Sequence, residues 1–178
     1  MRELIQALAR LNLREPSAIG VVSEVLRTTA ERGWNHPFAL PERRCDYTRS
    51  LLYKDDRFEL LVLCWSPRAE TPIHDHGGQR CWSAVLEGAL EVQNYRRLDD
   101  AARPGFALIE TGATAHYRRG GIDLRHNDRE LHAMRTLGNS RAIALHLYAR
   151  PITEYTIFNA SASSCERQLS SYDADFSV

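Results

Sequence analysis

Short apolar runs, separated by charged turns or turns rich in glycine and proline, dominate the sequence from Tyr47 onward. Runs of this length and composition are typical of β-strands. They occur at 51–53, 58–63, 81–88, 90–92, 106–109, 131–134 and 142–148. Because many short strands must close against one another to bury their apolar faces, the pattern predicts a mainly β fold in the form of a small β-barrel.

Two helices are predicted before the first strand. Leu4, Leu8 and Leu11 recur at helical spacing near the start of the chain. A second helical pattern runs from about Ser17 to Arg32 through Ile19, Val22 and Val25. Apolar residues three and four positions apart form the buried stripe of an amphipathic helix, so both segments should pack on the barrel.

The chain has the size of one domain. Its 178 residues, of which 43% are hydrophobic, can bury a single sizeable core and leave no room for a second large domain. We therefore expect one domain over residues 1–178, with helices in 1–35 and the barrel in 45–160. Residues 161–178 are polar and have no strong periodicity, so they are expected to form a tail.

Charge and cysteine content limit the possible partners. Lys plus Arg and Asp plus Glu are balanced at 23 each, which gives no electrostatic reason to expect nucleic acid or an anionic membrane. The four cysteines show no Cys-x-x-Cys spacing, and no apolar window is long enough to span a bilayer. We expect a soluble, cytoplasmic monomer that acts on a small molecule.

A pair of histidines one residue apart is the clearest chemical signal. In a strand, His74 and His76 would point to the same side and Asp75 to the other, so the two imidazoles could share a metal ion. The alternative is a half-buried strand that carries histidines on its polar face. Both interpretations are open for the pair taken alone.

The residues after this pair resemble the first motif of the cupin superfamily. Cupins have two histidines, then a glutamate and a glycine; here Cys81 takes the position of the glutamate and Gly88 that of the glycine. His132, within Glu130-Leu131-His132, resembles the histidine of the second cupin motif. Three neutral imidazoles suit iron, zinc, copper or nickel.

Four segments together resemble one branch of the cupins, the thiol dioxygenases, and above all the cysteine dioxygenase family. They are Asp46-Tyr47-Thr48-Arg49, Leu63-Cys64-Trp65 leading to the histidine pair, Glu130-Leu131-His132, and Leu145-His146-Leu147-Tyr148. The likeness runs from roughly Tyr47 to Pro151. It implies a jelly-roll-like cupin barrel preceded by two helices, and oxidation of L-cysteine to cysteine sulfinic acid with iron and O₂.

The resemblance also implies roles for individual residues. His74, His76 and His132 would hold one Fe(2+) per chain. Arg49, with Tyr47 beside it, would bind the substrate carboxylate, since a guanidinium pairs bidentately with carboxylates. The alternative for Arg49 is an ordinary solvated arginine.

Three residues would complete the catalytic group. Tyr148 would reach the substrate and oxygen, and His146, two positions earlier on the same strand, would orient its hydroxyl. The alternative is a core tyrosine beside a buried neutral histidine. Cys81 and Tyr148 match the pair that forms a thioether cross-link in animal members of the family, although a buried reduced cysteine is also compatible with the sequence.

The chain departs from the animal enzymes near the substrate. A serine that takes part in a chain of hydrogen bonds in those enzymes is replaced here by Ala144. Tyr155 falls at the position where they carry a cysteine near the substrate amine. Substrates other than cysteine therefore remain open, namely 3-mercaptopropionate and mercaptosuccinate. Arg49 favours cysteine, because relatives specialised for 3-mercaptopropionate generally carry glutamine there, whereas positive neighbours such as Arg150 would favour a dicarboxylate.

Two other kinds of function stay open on the ligand set alone. One is a three-histidine cupin isomerase or hydrolase that uses zinc or nickel as a Lewis acid. The other is a cupin that binds a small acid without converting it. The remaining histidines and cysteines, which are His36, His116, His126, Cys45, Cys64 and Cys165, fit no ligand pattern.

Overall fold

A computed structural model describes residues 1–35 and 46–177; His36 and Cys45 lie outside these residues. The two predicted helices are present as α1, Arg2–Ala9, and α2, Ala18–Glu31. Neither helix in this part of the chain is long and apolar enough to cross a membrane.

Twelve strands follow the helices in the described part of the chain. They are β1 (Tyr47–Lys54), β2 (Glu59–Trp65), β3 (Ile73–His74), β4 (Cys81–Glu87), β5 (Ala89–Arg97), β6 (Ile109–Arg118), β7 (Ile122–Arg125), β8 (Glu130–Thr136), β9 (Ala142–Tyr148), β10 (Glu154–Asn159), β11 (Ser164–Leu169) and β12 (Ala174–Asp175). They form two six-stranded sheets, in the orders β12-β1-β2-β9-β4-β7 and β11-β10-β3-β8-β5-β6. This confirms the mainly β fold with two N-terminal helices.

The first sheet lies between the helices and the second sheet. Its central strands β2 and β9 are buried along their whole length. On one face, Leu8, Val22 and Leu26 of the helices share a core with Leu60 and Leu147. The other face belongs to a second core, between the sheets. Burial on both faces explains why these two strands are continuous apolar runs rather than alternating ones.

Alternation along β4 and β9 decides which side chains face the interior of the barrel. Trp82 and Leu147 point toward the helices, whereas Cys81 and Tyr148 lie in the core between the sheets. Since successive side chains of a strand point to opposite faces, His146 shares the inner face with Tyr148. The functional residues therefore project from the face away from the helices.

The C-terminal segment is a correction to the sequence prediction. Residues 161–178 were expected to be a tail, but β11 pairs with β10 and β12 pairs in parallel with β1, with Ser50 opposite Ala174. The predicted strand at 106–109 is also displaced, since Phe106 makes only an isolated bridge to Ser164 and β6 begins at Ile109. Sheet pairing stabilises these polar strands although their sequences carry no apolar pattern.

Gly88, the motif glycine, occupies a position that only glycine fits. Its φ is +72°, in the left-handed region, and a Cβ there would collide with the carbonyl oxygen of Arg141. This close approach lets the chain turn directly from β4 into β5. The glycine of the motif is therefore required by the barrel rather than by the metal chemistry.

Candidate metal centre and substrate cavity

Three histidines converge inside the barrel, where β3 and β8 are neighbouring inner strands of the second sheet. His74, at the end of β3, is the direct cross-strand partner of His132 on β8. His76 follows two residues later, and one ring nitrogen from each of the three lies within 4.8 Å of the others. The ring centroids are 4.7 to 5.1 Å apart. The three predicted ligand residues are thus brought together.

His76 reaches this position differently from the prediction. The sequence suggested that both histidines of the pair lie on one strand, but β3 ends at His74. His76 begins a tight turn in which Gln79 N donates to its carbonyl oxygen at 3.0 Å. Gly77, whose φ is +58°, lies so close to Glu154 O that a Cβ would be 2.5 Å away. The turn, as well as the strand, therefore places the second imidazole.

Asp75, between the two histidines, fixes this turn. Its Oδ1 accepts hydrogen bonds from Gly77 N at 3.0 Å and from Thr156 N at 2.8 Å. The carboxylate therefore ties the histidine pair to β10. Both contacts are to backbone N–H groups, so they are structural.

The hydrogen bonds of the histidines leave their metal-facing nitrogens free. His74 Nδ1 donates to Pro72 O at 2.9 Å, and His132 Nδ1 lies 2.9 Å from Asp123 Oδ2. His132 Nε2 and both ring nitrogens of His76 are buried, with no partner among the described residues. Burial lowers the pKa of all three imidazoles, so each is neutral and offers a lone pair. Unpartnered buried nitrogens of this kind fit a metal ion.

A small cavity opens beside the histidine cluster. Its apolar walls come from Leu63, Met134 and Ile152. Its polar lining is formed by Tyr47, Arg49, Thr71, His74, Asp75, His146, Tyr148 and Tyr155. Tyr47 and Arg49 stand at i and i+2 on β1 and so share one face of that strand. Every residue predicted to bind substrate therefore lines the same space.

The Arg49 side chain is held at the wall of this cavity. Its guanidinium lies 5.8 Å from the centre of the Tyr155 ring, and Nη2 donates to Ser170 Oγ at 3.2 Å. No carboxylate among residues 1–35 and 46–177 forms a salt bridge with it. Within the described ranges the Arg49 guanidinium has no ion-pair partner, and from the cavity wall it can pair with an incoming anion.

The C-terminal segment supports Arg49 from behind. Asp173 Oδ2 accepts from Arg49 N at 2.8 Å, and Asp173 N donates to Arg49 O at 2.7 Å. Together with Ser170, these contacts come from the segment that the sequence suggested was a tail. Nothing in its polar composition distinguished it from solvent-exposed chain.

Tyr148 and Cys81 form a buried pair. They are cross-strand partners between β9 and β4, and both side chains lie in the core between the sheets. Burial, reinforced by Cys81, raises the pKa of the Tyr148 phenol well above its usual range. The phenol is therefore neutral and can donate a hydrogen bond into the cavity.

His146 has a different partner from the predicted one. Its Nδ1 lies 3.2 Å from Ser83 Oγ on β4, and its Nε2 is buried without a partner in the described structure. Ser83 and Cys81 lie two positions apart on the same face of β4. Among the described residues, no direct hydrogen bond joins the His146 ring to Tyr148.

Sequence reasoning missed the residues that surround the site. Ser83 supplies a hydroxyl beside His146, although position 144 is alanine. Asp123 and Arg125 of β7 stand behind His132, and their side chains are buried. An acid and a base two residues apart in Ile122-Asp123-Leu124-Arg125 follow strand alternation and share one face. That pattern was the only available signal for them.

Other polar residues singled out in the sequence lie away from the centre. His116 is exposed and pairs with Glu91 at 3.2 Å, and His126 is exposed. Arg150 is exposed and lines a different cavity. Cys64 is buried on β2, and Cys165 is partly buried on β11.

Comparison with known proteins agrees with this geometry. The sequence model of a family described as "Cysteine dioxygenase type I" matches residues 13–161. "Cysteine dioxygenase type 1" of Danio rerio is 26% identical over 120 residues, which cover 64% of this chain and 56% of that protein. "Cysteine dioxygenase type 1" of Homo sapiens is 22% identical over 138 residues, covering 74% of this chain and 65% of that protein. The chain therefore spans less than two thirds of the length of these relatives.

Solved structures support the fold alone. The Schizosaccharomyces pombe Cnp3 cupin domain superposes with a TM-score of 0.50 at 15% identity, covering 67% of this chain and 74% of that one. An oxalate oxidase in complex with the substrate analogue glycolate gives a TM-score of 0.50 at 13% identity, covering 67% and 60% of the two chains. The first of these structures is described as a cupin domain, and neither likeness bears on activity at this level of identity.

Proposed function

This chain belongs to the cysteine dioxygenase type I family, and from that premise we propose that it is an iron-dependent thiol dioxygenase whose preferred substrate is L-cysteine. The reaction adds both atoms of O₂ to the substrate sulfur and yields cysteine sulfinic acid. Sulfur is oxidised, dioxygen is reduced, and no further co-reactant is needed.

One observation carries this proposal. Three neutral imidazoles are clustered, and two of them, His76 and His132, have buried, unpartnered nitrogens. The third, His74, lines the same cavity as the guanidinium of Arg49. A metal ligand set and a carboxylate-binding group facing one small space fit a substrate that carries a metal-binding group at one end and a carboxylate at the other. Cysteine is such a molecule.

The three histidines would hold the iron through one ring nitrogen each. When bound, ferrous iron supplies the redox chemistry, with coordination positions for a thiolate and for dioxygen on the side that the protein leaves open. A neutral ligand set leaves the ion with its full charge, which favours binding of an anionic thiolate. Cys81, at the position of the usual cupin glutamate, is buried and is not one of the clustered ligands.

Arg49 would bind and orient the substrate carboxylate. Its guanidinium is fixed by Ser170 and by stacking on Tyr155, so little side-chain entropy is lost when a carboxylate binds. The Tyr155 ring also packs near His74, with ring centroids 6.3 Å apart. Because Tyr155 contacts both ends of the site, it limits the length of the substrate.

Tyr148 would donate a hydrogen bond from its neutral phenol to the substrate or to oxygen within the cavity. Its position on β9 and its contact with Cys81 restrict the motion of the ring. His146 and Tyr47 complete the polar lining and exclude bulk water together with the apolar walls. The protein residues thus position the reactants and hold protons at defined atoms.

A monocarboxylate is favoured over a dicarboxylate. Arg49 is the arginine in the cavity lining, whereas Arg150, which would have favoured mercaptosuccinate, is exposed and lines another cavity. Cysteine and 3-mercaptopropionate both satisfy this constraint, and the family favours cysteine.

The test is oxygen uptake by protein that has been reconstituted anaerobically with ferrous iron. Cysteine, 3-mercaptopropionate, mercaptosuccinate and cysteamine are compared, with the sulfinate products identified by mass spectrometry. We expect uptake with cysteine to match sulfinate formation, and cysteamine, which lacks a carboxylate, to be a poor substrate. The absence of thiol-dependent uptake by iron-loaded protein would refute the proposal. Activity of zinc- or nickel-loaded protein without uptake of O₂ would indicate non-oxidative chemistry.

A further inference from the structure

A buried carboxylate stands directly behind one of the three histidines. Asp123 Oδ2 is 2.9 Å from His132 Nδ1, and the exposed fractions of the two side chains are 5% and 0%. Arg125 grips the same carboxylate with two hydrogen bonds, Nη2 to Oδ1 at 2.6 Å and Nε to Oδ2 at 2.9 Å. His132, Asp123 and Arg125 therefore form a continuous chain of charged and polar groups inside the barrel.

The contact fixes the proton on His132. Because a carboxylate can only accept, Nδ1 carries the hydrogen and Nε2 keeps its lone pair. Nε2 is the buried nitrogen without a partner, so it is the atom that faces the other histidines. Burial alone would raise the pKa of Asp123, but the bonds from His132 and Arg125 hold it below its usual value, and the carboxylate stays charged.

The other two histidines lack this support within the described residues. His74 Nδ1 donates to the neutral carbonyl of Pro72, and His76 has no ring partner. The negative charge is therefore concentrated behind one ligand. A carboxylate behind a metal-bound imidazole orients the ring and makes it a stronger ligand.

The sheet places the carboxylate of Asp123 close to Cys81, the position at which cupins carry an acidic metal ligand. In the ladder between β4 and β7, Cys81 lies opposite Arg125 and Ser83 lies opposite Asp123. Cupins carry a glutamate ligand at the position of Cys81. Here the three ligands include no negative charge, and the carboxylate of Asp123 instead contacts His132 on the side of the ring away from the metal centre.

We propose that Asp123, held by Arg125, is a positioning residue that orients His132 and strengthens metal binding. This inference rests on the metal centre of the proposed function. Asp123 does not touch the substrate cavity, and its effect is exerted through the imidazole.

The test compares Arg125→Gln with the double variant Asp123→Asn/Arg125→Gln. Both variants remove the charge of Arg125. Only the double variant also removes the carboxylate of Asp123, and its asparagine keeps an amide oxygen that can accept a hydrogen bond from His132 Nδ1. Removing Asp123 alone would leave Arg125 buried and unpaired, which is strongly destabilising. The dissociation constant for cobalt(II) is measured on metal-free full-length chain, by visible absorption against a competing chelator.

We expect the double variant to bind cobalt about 10- to 100-fold more weakly than Arg125→Gln. Arg125→Gln itself should stay within about threefold of the unmodified chain, because its carboxylate remains on His132. The ligand-field spectrum of bound cobalt should shift only in the double variant. If the double variant fails to fold, Asp123→Asn/Arg125→Met is compared with Arg125→Met in its place, because an apolar side chain of similar volume often replaces a buried charge without loss of stability.

Asp99→Asn is the matched control. Asp99 is also gripped by an arginine two residues away, Arg97, at 2.9 Å, and both side chains are largely buried, but no histidine joins the pair. Its cobalt affinity should be unchanged. Equal cobalt affinities of Arg125→Gln and Asp123→Asn/Arg125→Gln would overturn the inference. A loss of affinity in Asp99→Asn as large as that in the double variant would also overturn it. Cobalt results as expected in a protein that oxidises no thiol would refute the proposed function and leave Asp123 as a positioning residue.

Discussion

Cys81 and Tyr148 lie directly opposite each other in the antiparallel ladder between β4 and β9. Directly opposed residues of such a ladder have Cβ atoms about 4.5–5.5 Å apart, within reach of a bond between a sulfur and a neighbouring ring. Both side chains face the core between the sheets. The backbone therefore already holds the two groups in the arrangement that a thioether link requires.

We predict that a fraction of the iron-loaded chain forms this link during turnover in air. The sulfur bonds to a ring carbon of Tyr148, two hydrogens are lost, and dioxygen is the oxidant. Peptide mass spectrometry should find a joined Cys81–Tyr148 peptide lighter than the sum of its parts by two hydrogens. Cys64 is the internal control, because it is buried but lies opposite Thr48 and Ile143. Separate Cys81 and Tyr148 peptides alone, after turnover, would show that Cys81 has only a packing role.

Replacing Arg49 with alanine should selectively impair substrates that carry a carboxylate. Losing a charge-assisted hydrogen-bonding pair costs about 1.5–3 kcal/mol, so kcat/KM for cysteine should fall about 10- to 100-fold. The value for cysteamine should change little. Arg150→Ala is the matched control, since this arginine is exposed outside the cavity. Unaltered cysteine kinetics in Arg49→Ala would refute the anchoring role.

Metal removal should lower thermal stability as well as activity. A ligand present at 100 times its dissociation constant stabilises the folded state by about 2.7 kcal/mol, which corresponds to roughly 5–10 °C for a domain of this size. Scanning calorimetry with and without ferrous iron, under nitrogen, measures the shift. His76→Ala should abolish the shift, and His116→Ala, on the outer surface, should preserve it. A metal-induced shift that survives in His76→Ala would place the ion elsewhere.

Ser83 should affect turnover through His146. Ser83→Ala removes the hydroxyl that lies 3.2 Å from His146 Nδ1, so the imidazole loses the side-chain hydrogen bond that orients its ring. We expect kcat for cysteine to fall about tenfold, in the range of a lost hydrogen bond. The double variant Ser83→Ala/Ala144→Ser moves the hydroxyl to the same face of β9, two residues before His146. Recovery of kcat in the double variant would indicate positioning, and an unchanged kcat in Ser83→Ala would exclude it.

The sequence predicted best where apolar pattern or ligand spacing was explicit. The helices, the doubly buried strands β2 and β9, and the three histidines all follow from local signals. The exposed strand β6 and the C-terminal strands carry mixed polar residues, and only their pairing with neighbours makes them strands. Ser170 and Asp173 therefore looked like tail residues, although they hold Arg49 in place.

Buried polar contacts were the second kind of feature that the sequence did not predict. Asp123 and Arg125 are charged residues of the kind that usually face solvent, and only the fold shows that they form a buried ion pair. The hydrogen bond of His146 goes to Ser83 rather than to Tyr148, because Ser83 lies directly opposite His146 in the ladder between β4 and β9. Local sequence patterns do not specify which strand lies beside which.

Strand β9 is shared by the helical layer and the cavity. Leu145 and Leu147 pack beneath α1 and α2, while His146 and Tyr148 face the reactants. A displacement of the helices would therefore move the phenol and the imidazole with it. The two helices, which are remote from the metal centre, thus contribute to the mechanical stiffness of the site, and substitutions at their packing positions should alter turnover before they alter metal content.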